Sequence, residues 1–390
     1  MPLTILHVIT GLNVGGAEAM LSKLVTHSAV AAAGQRHEVL TLMPPGVAGR
    51  RLAALSAPPH SLGIRRPRAG LGAAMRLAKV VRQVRPDIVQ GWMHHGNLAA
   101  MIGQQLVSPR PTLMWNVRHS LEDIALENPM TRAILRFEAR RSRSPATIIY
   151  NSRVAARQHG DIGFDGSRSC IIPNGFDCGH FAPVAVRRGA LASRFGIEHD
   201  ATVVAMIARR HPMKSPETLV EAVGRARSAG IDLHLLMVGD GMDTLPSEMH
   251  DAFRRAVPED RLTFAPHRSD LAEWLPEVDI LALPSAWGEG FPNILGEAMA
   301  CGVPCVTTDV GDSGWVVGET GEVVPPRDAS ALEAALIRLE RLGPEGRRRL
   351  GRAARQRVVD EFSLGETVSR YTDLYADAAE TRAGRIGGTA

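Results

Sequence analysis

Short apolar runs of strand length alternate with longer helical patterns from one end of the chain to the other. That alternation predicts parallel sheets covered by helices on both faces, an α/β architecture. The first run, Ile5-Leu6-His7-Val8-Ile9, leads through a glycine-containing turn at 11–16 into a helical pattern over about 17–32, then into Glu38-Val39-Leu40-Thr41-Leu42. This is a βαβ start. Further strands are predicted at Ile88-Val89-Gln90, Thr112-Leu113-Met114-Trp115 and Thr147-Ile148-Ile149-Tyr150, with helical stretches such as 73–84 between them.

After Ile171-Ile172-Pro173-Asn174-Gly175 the pattern gives way to a polar stretch with Pro and Arg, 181–194, of the kind that joins domains. It then restarts, with strands predicted at Val203-Val204-Ala205-Met206-Ile207, 233–238, Leu262-Thr263-Phe264, Ile280-Leu281-Ala282-Leu283 and 303–307. A chain of 390 residues also exceeds the roughly 250–300 at which one core stops growing. The expected organisation is a Rossmann-like domain over 1–180, a linker over 181–200, a second Rossmann-like domain over 201–364, and a helical tail over 365–390 that crosses back to the first domain. Two such sheets leave a cleft at the carboxyl ends of their strands, where α/β folds bind ligands.

Composition narrows the class. The chain is 45% hydrophobic and 22% charged, enough apolar material for packed cores and too little charge for a disordered chain. No apolar run reaches the roughly 18 residues that span a bilayer, and Met1-Pro2-Leu3-Thr4-Ile5-Leu6 lacks the basic start of a signal peptide. A cytoplasmic protein is expected. Cys170, Cys178, Cys301 and Cys305 show no zinc-ligand spacing, so reduced thiols are expected and no metal site.

Charge is asymmetric. Residues 1–180 hold 21 Lys+Arg against 10 Asp+Glu, and the remainder 24 against 31. A basic first half suits an anionic membrane surface or a phosphorylated acceptor, and equally an Arg-decorated solvated face. Aromatics are 4% of residues and no zinc-finger or RNP-like motif accompanies the arginines, which argues against nucleic acid.

Candidate chemistry concentrates in the second half. The stretch Ser285-Ala286-Trp287-Gly288-Glu289-Gly290-Phe291-Pro292-Asn293-Ile294-Leu295-Gly296-Glu297 follows a predicted strand and opens a predicted helix, with Pro292 suited to its first turn. The amides of Gly290, Phe291 and Asn293 then lie at a helix N-terminus, which attracts phosphate. Glu289 and Glu297, roughly 12 Å apart if the span is helical throughout, would accept hydrogen bonds from sugar and ribose diols. Alone, the pair reads equally well as a capping acid and a solvated helical glutamate. Arg209 and Lys214 follow the first strand of the same half, where two cations would neutralise a diphosphate. Lysine occurs only at positions 23, 79 and 214, so one in this loop is unexpected on composition. Gly239 and Asp240 close another strand, where a glycine lets a ligand approach the backbone.

In the first half, Gly15 and Gly16 join strand to helix, without the G-x-G-x-x-G dinucleotide fingerprint because position 13 is Asn. His94, His95 and His119 fall at predicted strand ends. A lone histidine is usually a hydrogen-bonded structural residue, but His119 stands out because Arg118 precedes it directly after a strand.

Assembled, these residues resemble the family 4 retaining glycosyltransferases, whose pattern is E-G-F-P-N-x-x-x-E-A-M-A-x-G-x-P-V. Positions 289–304 match it closely, and blocks at 11–18, 92–97, 115–120, 151–152, 172–177, 209–214, 239–241 and 325–326 extend the likeness over nearly the whole chain. The N-terminal blocks are similar to those of bacterial O-antigen, capsule and exopolysaccharide enzymes. The resemblance implies a GT-B fold, two Rossmann-like domains facing across a cleft, acting on a UDP- or GDP-sugar donor and a glycan or polyprenyl-linked acceptor. It assigns Arg209 and Lys214 to the donor diphosphate, Glu289 to sugar hydroxyls, Glu297 to the ribose, and the 290–293 amides to sugar and phosphate. It places His119 by the reacting carbon and Gly15 and Gly16 on donor phosphate or acceptor. Pro212-Met213, Ser215 and Trp287-Gly288 depart from the usual pattern, which bears on donor choice.

No two aspartates are separated by a single residue, so the D-x-D metal clamp is missing and metal-independent chemistry is expected, with no cofactor. The competing readings are a non-catalytic nucleotide-sugar-binding subunit and a nucleotide-sugar epimerase or phosphorylase. An NAD dehydrogenase lacks its glycine fingerprint.

Overall fold

A computed structural model describes residues 2–13, 15–46, 49–50, 52, 58–65, 70–121, 123–184, 189–197 and 202–387. The chain divides into two units, Met1–Gly175 with Leu364–Ala390, and Phe176–Ser363.

Among the described residues the first unit holds the strands β1 (Leu3–Ile9), β2 (Gln35–Thr41), β3 (His60–Ser61), β4 (Ile88–Trp92), β5 (Thr112–Val117), β6 (Thr147–Tyr150) and β7 (Ser169–Ile171). They pair in parallel in the order β3-β2-β1-β4-β5-β6-β7. Each strand shows alternate side chains to opposite faces, and in β1, β4, β5 and β6 both faces are buried. Leu6 and Val8 of β1 join one apolar cluster, while Ile5 and Ile9 join another. This is why the strands read as continuous apolar runs.

The predicted helix over 17–32 is two helices, Gly16–Thr26 and Ser28–Ala32, because His27 between them is extended at φ −73°, ψ 134°. The helix Leu364–Gly387 packs on this first sheet, with Val368, Tyr371 and Tyr375 fully buried. Their polar tips are anchored: Tyr371 Oη accepts from Asn116 Nδ2 at 2.8 Å and from Arg118 Nη1 at 3.3 Å, and Tyr375 donates to Gln90. Arg118 also donates to Asn174 and lies 5.4 Å from the Trp92 ring centroid. It is a structural tie.

The second unit holds β8 (Thr202–Ile207), β9 (Leu233–Val238), β10 (Leu262–Ala265), β11 (Ile280–Leu283), β12 (Cys305–Thr308) and β13 (Glu322–Val324), parallel and in the order β10-β9-β8-β11-β12-β13. Val203 and Ala205 of β8 face one cluster, Val204 and Met206 the other. The stretch 181–200, expected as a linker, contributes Phe181, Ala190, Leu191 and Ile197 to this unit's core, in part through the short helix Ala190–Phe195. The four cysteines are free thiols. Among the described residues no helix is long and apolar enough to cross a membrane.

Both sheets reverse their strand order once: between β1 and β4, and between β8 and β11. At such a reversal the connections leave to opposite sides, opening a crevice at the carboxyl ends of the two strands. Those two places locate the candidate chemistry.

Candidate active site

In the second unit the loop after β8 and the loop after β11 meet at the reversal. Lys214 ends the turn Pro212–Lys214, and its Nζ donates to Glu289 Oε1. Glu289 is 8% exposed and takes a second hydrogen bond from Ser285 Oγ on the same oxygen. The two loops are also joined through backbone, Ala286 N donating to Met213 O at 2.7 Å. Ser215, directly after Lys214, sits at φ +46°, a left-handed conformation that costs a non-glycine residue about 1–2 kcal/mol and concentrates at functional turns.

Gly288 lies at φ +74°, and a β-carbon there would stand 3.1 Å from Met213 Cε. Trp287 carries the Arg327 guanidinium 5.2 Å from its ring centroid. The Trp-Gly departure from the family pattern therefore packs onto the Lys214 turn and its neighbours. Arg209 is exposed, with no hydrogen-bond or ion-pair partner for its side chain among the described residues.

Gly239 is fixed by close approach. At φ +152°, a β-carbon there would come within 2.0 Å of Ala208 O, so any side chain would push β8 and β9 apart. Asp240 is exposed beside it, and its carbonyl accepts from Arg210 N at 2.8 Å.

The helix expected from Pro292 begins one residue later, as Asn293–Ala300, with Pro292 as its N-cap at φ −76°, ψ 110°. Glu289 to Pro292 is loop, so the 12 Å separation expected for a wholly helical span does not apply between Glu289 and Glu297. Phe291 is 6% exposed and its ring stacks on Phe176 at 6.1 Å, which leaves its backbone as the part available to a ligand. Glu297 is half-buried on the helix.

In the first unit, Gly15 is the N-cap of Gly16–Thr26 in an extended conformation. The Glu18 carboxylate folds back over it, 2.3 Å from where a β-carbon on Gly15 would stand. An anion approaching these amides meets that carboxylate first.

His119, after β5, is half-buried with Nε2 3.2 Å from Glu127 Oε1. Burial and the neighbouring His94 lower its pKa, against a smaller raising effect from Glu127. His94, after β4, is 4% exposed and shares a 2.7 Å hydrogen bond between Nδ1 and Glu138 Oε2, whose residue is fully buried. Burial brings the His94 pKa down to about 4 and holds the Glu138 carboxyl well above its usual range. His95 is exposed. The junction between β4 and the helix that carries both histidines runs through Met93 at φ +61°, again a left-handed residue costing about 1–2 kcal/mol.

Several residues at these sites were not singled out from sequence. Ser285 opens the 285–297 stretch, and its position four before Glu289 is its only signal in the sequence. Gly311 and Asp312 follow β12: Asp312 N donates to Gly290 O at 2.9 Å, and a β-carbon on Gly311 would stand 2.2 Å from Glu289 O. A Gly-Asp pair three residues past a strand of the same sheet is a usable clue. Glu127 and Glu138 had none, since a glutamate in a loop and one in a helix look like solvated charges.

Comparison with known proteins places this geometry. A family model described as Glycosyltransferase Family 4 matches residues 14–180, and one described as Glycosyl transferases group 1 matches residues 201–341. The D-inositol 3-phosphate glycosyltransferase of Geodermatophilus obscurus is 31% identical over 259 residues, covering 62% of this chain and 56% of that protein. The UDP-Gal:alpha-D-GlcNAc-diphosphoundecaprenol alpha-1,3-galactosyltransferase of Escherichia coli is 27% identical over 223 residues, 56% of each chain. The chain thus spans little more than half the length of these relatives. Among solved structures, Anabaena HepE in complex with UDP superposes with a TM-score of 0.82 at 20% identity, covering 96% of this chain and all of that one. WaaG, a glycosyltransferase of lipopolysaccharide biosynthesis, gives 0.70 at 16% identity over 95% of this chain and 99% of that one. At these identities the superpositions establish a shared GT-B fold. With one family model on each sheet, the chain belongs to the family 4, group 1 glycosyltransferases.

Proposed function

We propose that this chain is a retaining glycosyltransferase that moves a hexose-type sugar from a nucleotide-sugar to a glycan or polyprenyl-linked acceptor in cell-surface polysaccharide synthesis, without a metal ion. One observation carries the reading: Lys214 and Glu289, 75 positions apart, form an ion pair where the second sheet reverses its strand order. When a donor binds, its diphosphate competes for Lys214 and the exposed Arg209, and the released Glu289 carboxylate accepts from sugar hydroxyls. Gly239 and Asp240, the 290–293 backbone and Glu297 line the same end of the sheet and complete the donor contacts.

The nucleoside diphosphate leaves with the electron pair of the glycosidic bond, and the two cations stabilise the charge gathering on it. The acceptor hydroxyl then attacks the sugar from the face the diphosphate leaves, giving its proton to a departing phosphate oxygen, so configuration is retained. His119 is assigned to the transferred sugar, and Gly15 and Gly16 to donor phosphate or acceptor.

HepE has been crystallised with UDP and with UDP-glucose, and the E. coli relative's name gives a UDP-sugar donor and a diphosphoundecaprenol acceptor. UDP-glucose is accordingly the first donor to try, within a thermal-shift series of UDP-, GDP-, ADP- and CMP-sugars. Transfer that survives EDTA and gives a product with the donor's anomeric configuration by NMR is the expected result. An inverted product, or activity abolished by EDTA and restored by a divalent ion, refutes the mechanism.

The first unit supports peripheral contact with an anionic membrane. Its helix Gly70–Val84 exposes Leu71 (80%) and Met75 (66%) one turn apart, together with Arg76, Lys79 and Arg82. Apolar groups flanked by cations suit a lipid interface. The protein is expected to sediment with phosphatidylglycerol vesicles at low salt, and Leu71→Glu with Met75→Glu to leave it in the supernatant. Equal binding by that double variant rules this face out.

A further inference from the structure

His119 is touched by two groups that the resemblance does not assign. Its Nε2 lies 3.2 Å from Glu127 Oε1. Its ring meets that of His94 edge-on, with centroids 5.7 Å apart and planes at 73°. His94 is itself held from behind: Nδ1 shares the 2.7 Å bond with buried Glu138, and its ring stacks on His159 at 5.5 Å. His159 is in turn fixed by a 2.8 Å bond from Nδ1 to the Ala155 carbonyl, so the stack cannot rotate freely. The left-handed turn at Met93 is what sends His94 inward to this stack.

A buried glutamate and histidine are a costly way to fill a core that leucine would fill without desolvation. Their arrangement has a use where the orientation of a neighbouring imidazole matters. We propose that Glu127 and the His94–Glu138 pair are positioning residues for His119. The Glu127 carboxylate, 3.2 Å from Nε2, electrostatically favours a proton on that nitrogen and so the tautomer with an unprotonated Nδ1. The His94–Glu138 pair, which holds one proton between its two partners and no net charge, fixes the plane of the ring without opposing positive charge that develops on a nearby sugar. This inference rests on the assignment of His119 to the transferred sugar.

The test uses the full chain with His119→Ala, Glu127→Ala, Glu138→Ala and Glu138→Gln, measuring kcat and donor KM separately, and recording the histidine tautomers by long-range 15N NMR. A misplaced imidazole slows the chemical step rather than donor capture, so Glu127→Ala and Glu138→Ala are expected to lower kcat by about 10–100-fold with donor KM within about twofold. Glu138→Gln, whose amide can donate to or accept from His94 Nδ1, is expected to recover most of the loss. In Glu127→Ala the His119 signals should move from the Nε2–H pattern to a tautomer mixture. The Glu127 variant keeps the proposal falsifiable should Glu138→Ala fail to fold, because Glu127 lies on a partly exposed loop. If His119→Ala lowers kcat while the Glu127 and Glu138 variants turn over like wild type, the positioning role is wrong. If His119→Ala itself leaves kcat unchanged, the assignment beneath it fails.

Discussion

Lys214→Ala is expected to lower kcat by about 10²–10³-fold, the usual effect of removing one preorganised donor from a developing negative charge. It should also lower stability, for a separate reason. Glu289 is 8% exposed, and stripping a buried carboxylate of its cation costs about 3–5 kcal/mol when nothing else satisfies it. Here the Ser285 hydroxyl still donates to the same oxygen, so the loss should fall toward the lower end of that range. Combining Lys214→Ala with Glu289→Gln removes the unpaired charge, and the double variant should regain most of the lost stability in a denaturant titration while turning over no faster than Lys214→Ala alone. Stability and turnover are thereby separated. Wild-type kcat in Lys214→Ala would mean that Lys214 serves the fold and not the donor.

Gly311→Ala should be nearly as damaging although residue 311 carries no functional group. The position has φ +62°, worth about 1–2 kcal/mol against any L side chain. Its β-carbon would also fall 2.2 Å from Glu289 O and 2.9 Å from Gly290 O. Both are backbone atoms, so relief requires the 289–290 loop to move, at roughly 1–3 kcal/mol more for overpacking. The moved loop carries Glu289 and the 290–293 amides. Donor KM is accordingly expected to rise about tenfold or more, as a displacement on the order of 1 Å suffices for such losses. A Gly311→Ala protein with wild-type donor KM would show that this loop's position is immaterial to donor binding.

What sequence revealed and what it hid follow the same physics. Strands buried on both faces advertise themselves as unbroken apolar runs, and β8, β9 and β11 lie within a residue of where those runs placed them. Very short strands do not: β3 has two residues, and β7 and β13 three each, too few for a pattern to accumulate. The break at His27 is hidden because nothing in an amphipathic pattern marks one extended residue.

At the site, Lys214 and Glu289 were legible separately, because each follows a strand of one sheet. Their pairing was not, since it depends on β8 and β11 being neighbours, a fact of strand order that no local spacing encodes. Gly311 was hidden for the same reason: its constraint comes from atoms more than twenty positions away. Phe291 carries two roles that the pattern does not separate: its ring belongs to the core, and its backbone amide is the part left for a ligand.

The helix Leu364–Gly387 has a consequence for biosynthesis. It fills the first sheet's core with Val368, Tyr371 and Tyr375, yet it is translated after the whole of Phe176–Ser363. The later-starting lobe is also closed on itself, since Phe176 bridges to Ser363 and its amide donates to Phe362 O at 2.9 Å. The first unit therefore cannot complete its core until the chain has been made through Tyr375, whereas the second unit is built from Phe176–Ser363 alone. A released chain cut just after Ser363 would keep every segment of the second unit and leave the first open along one side of its sheet.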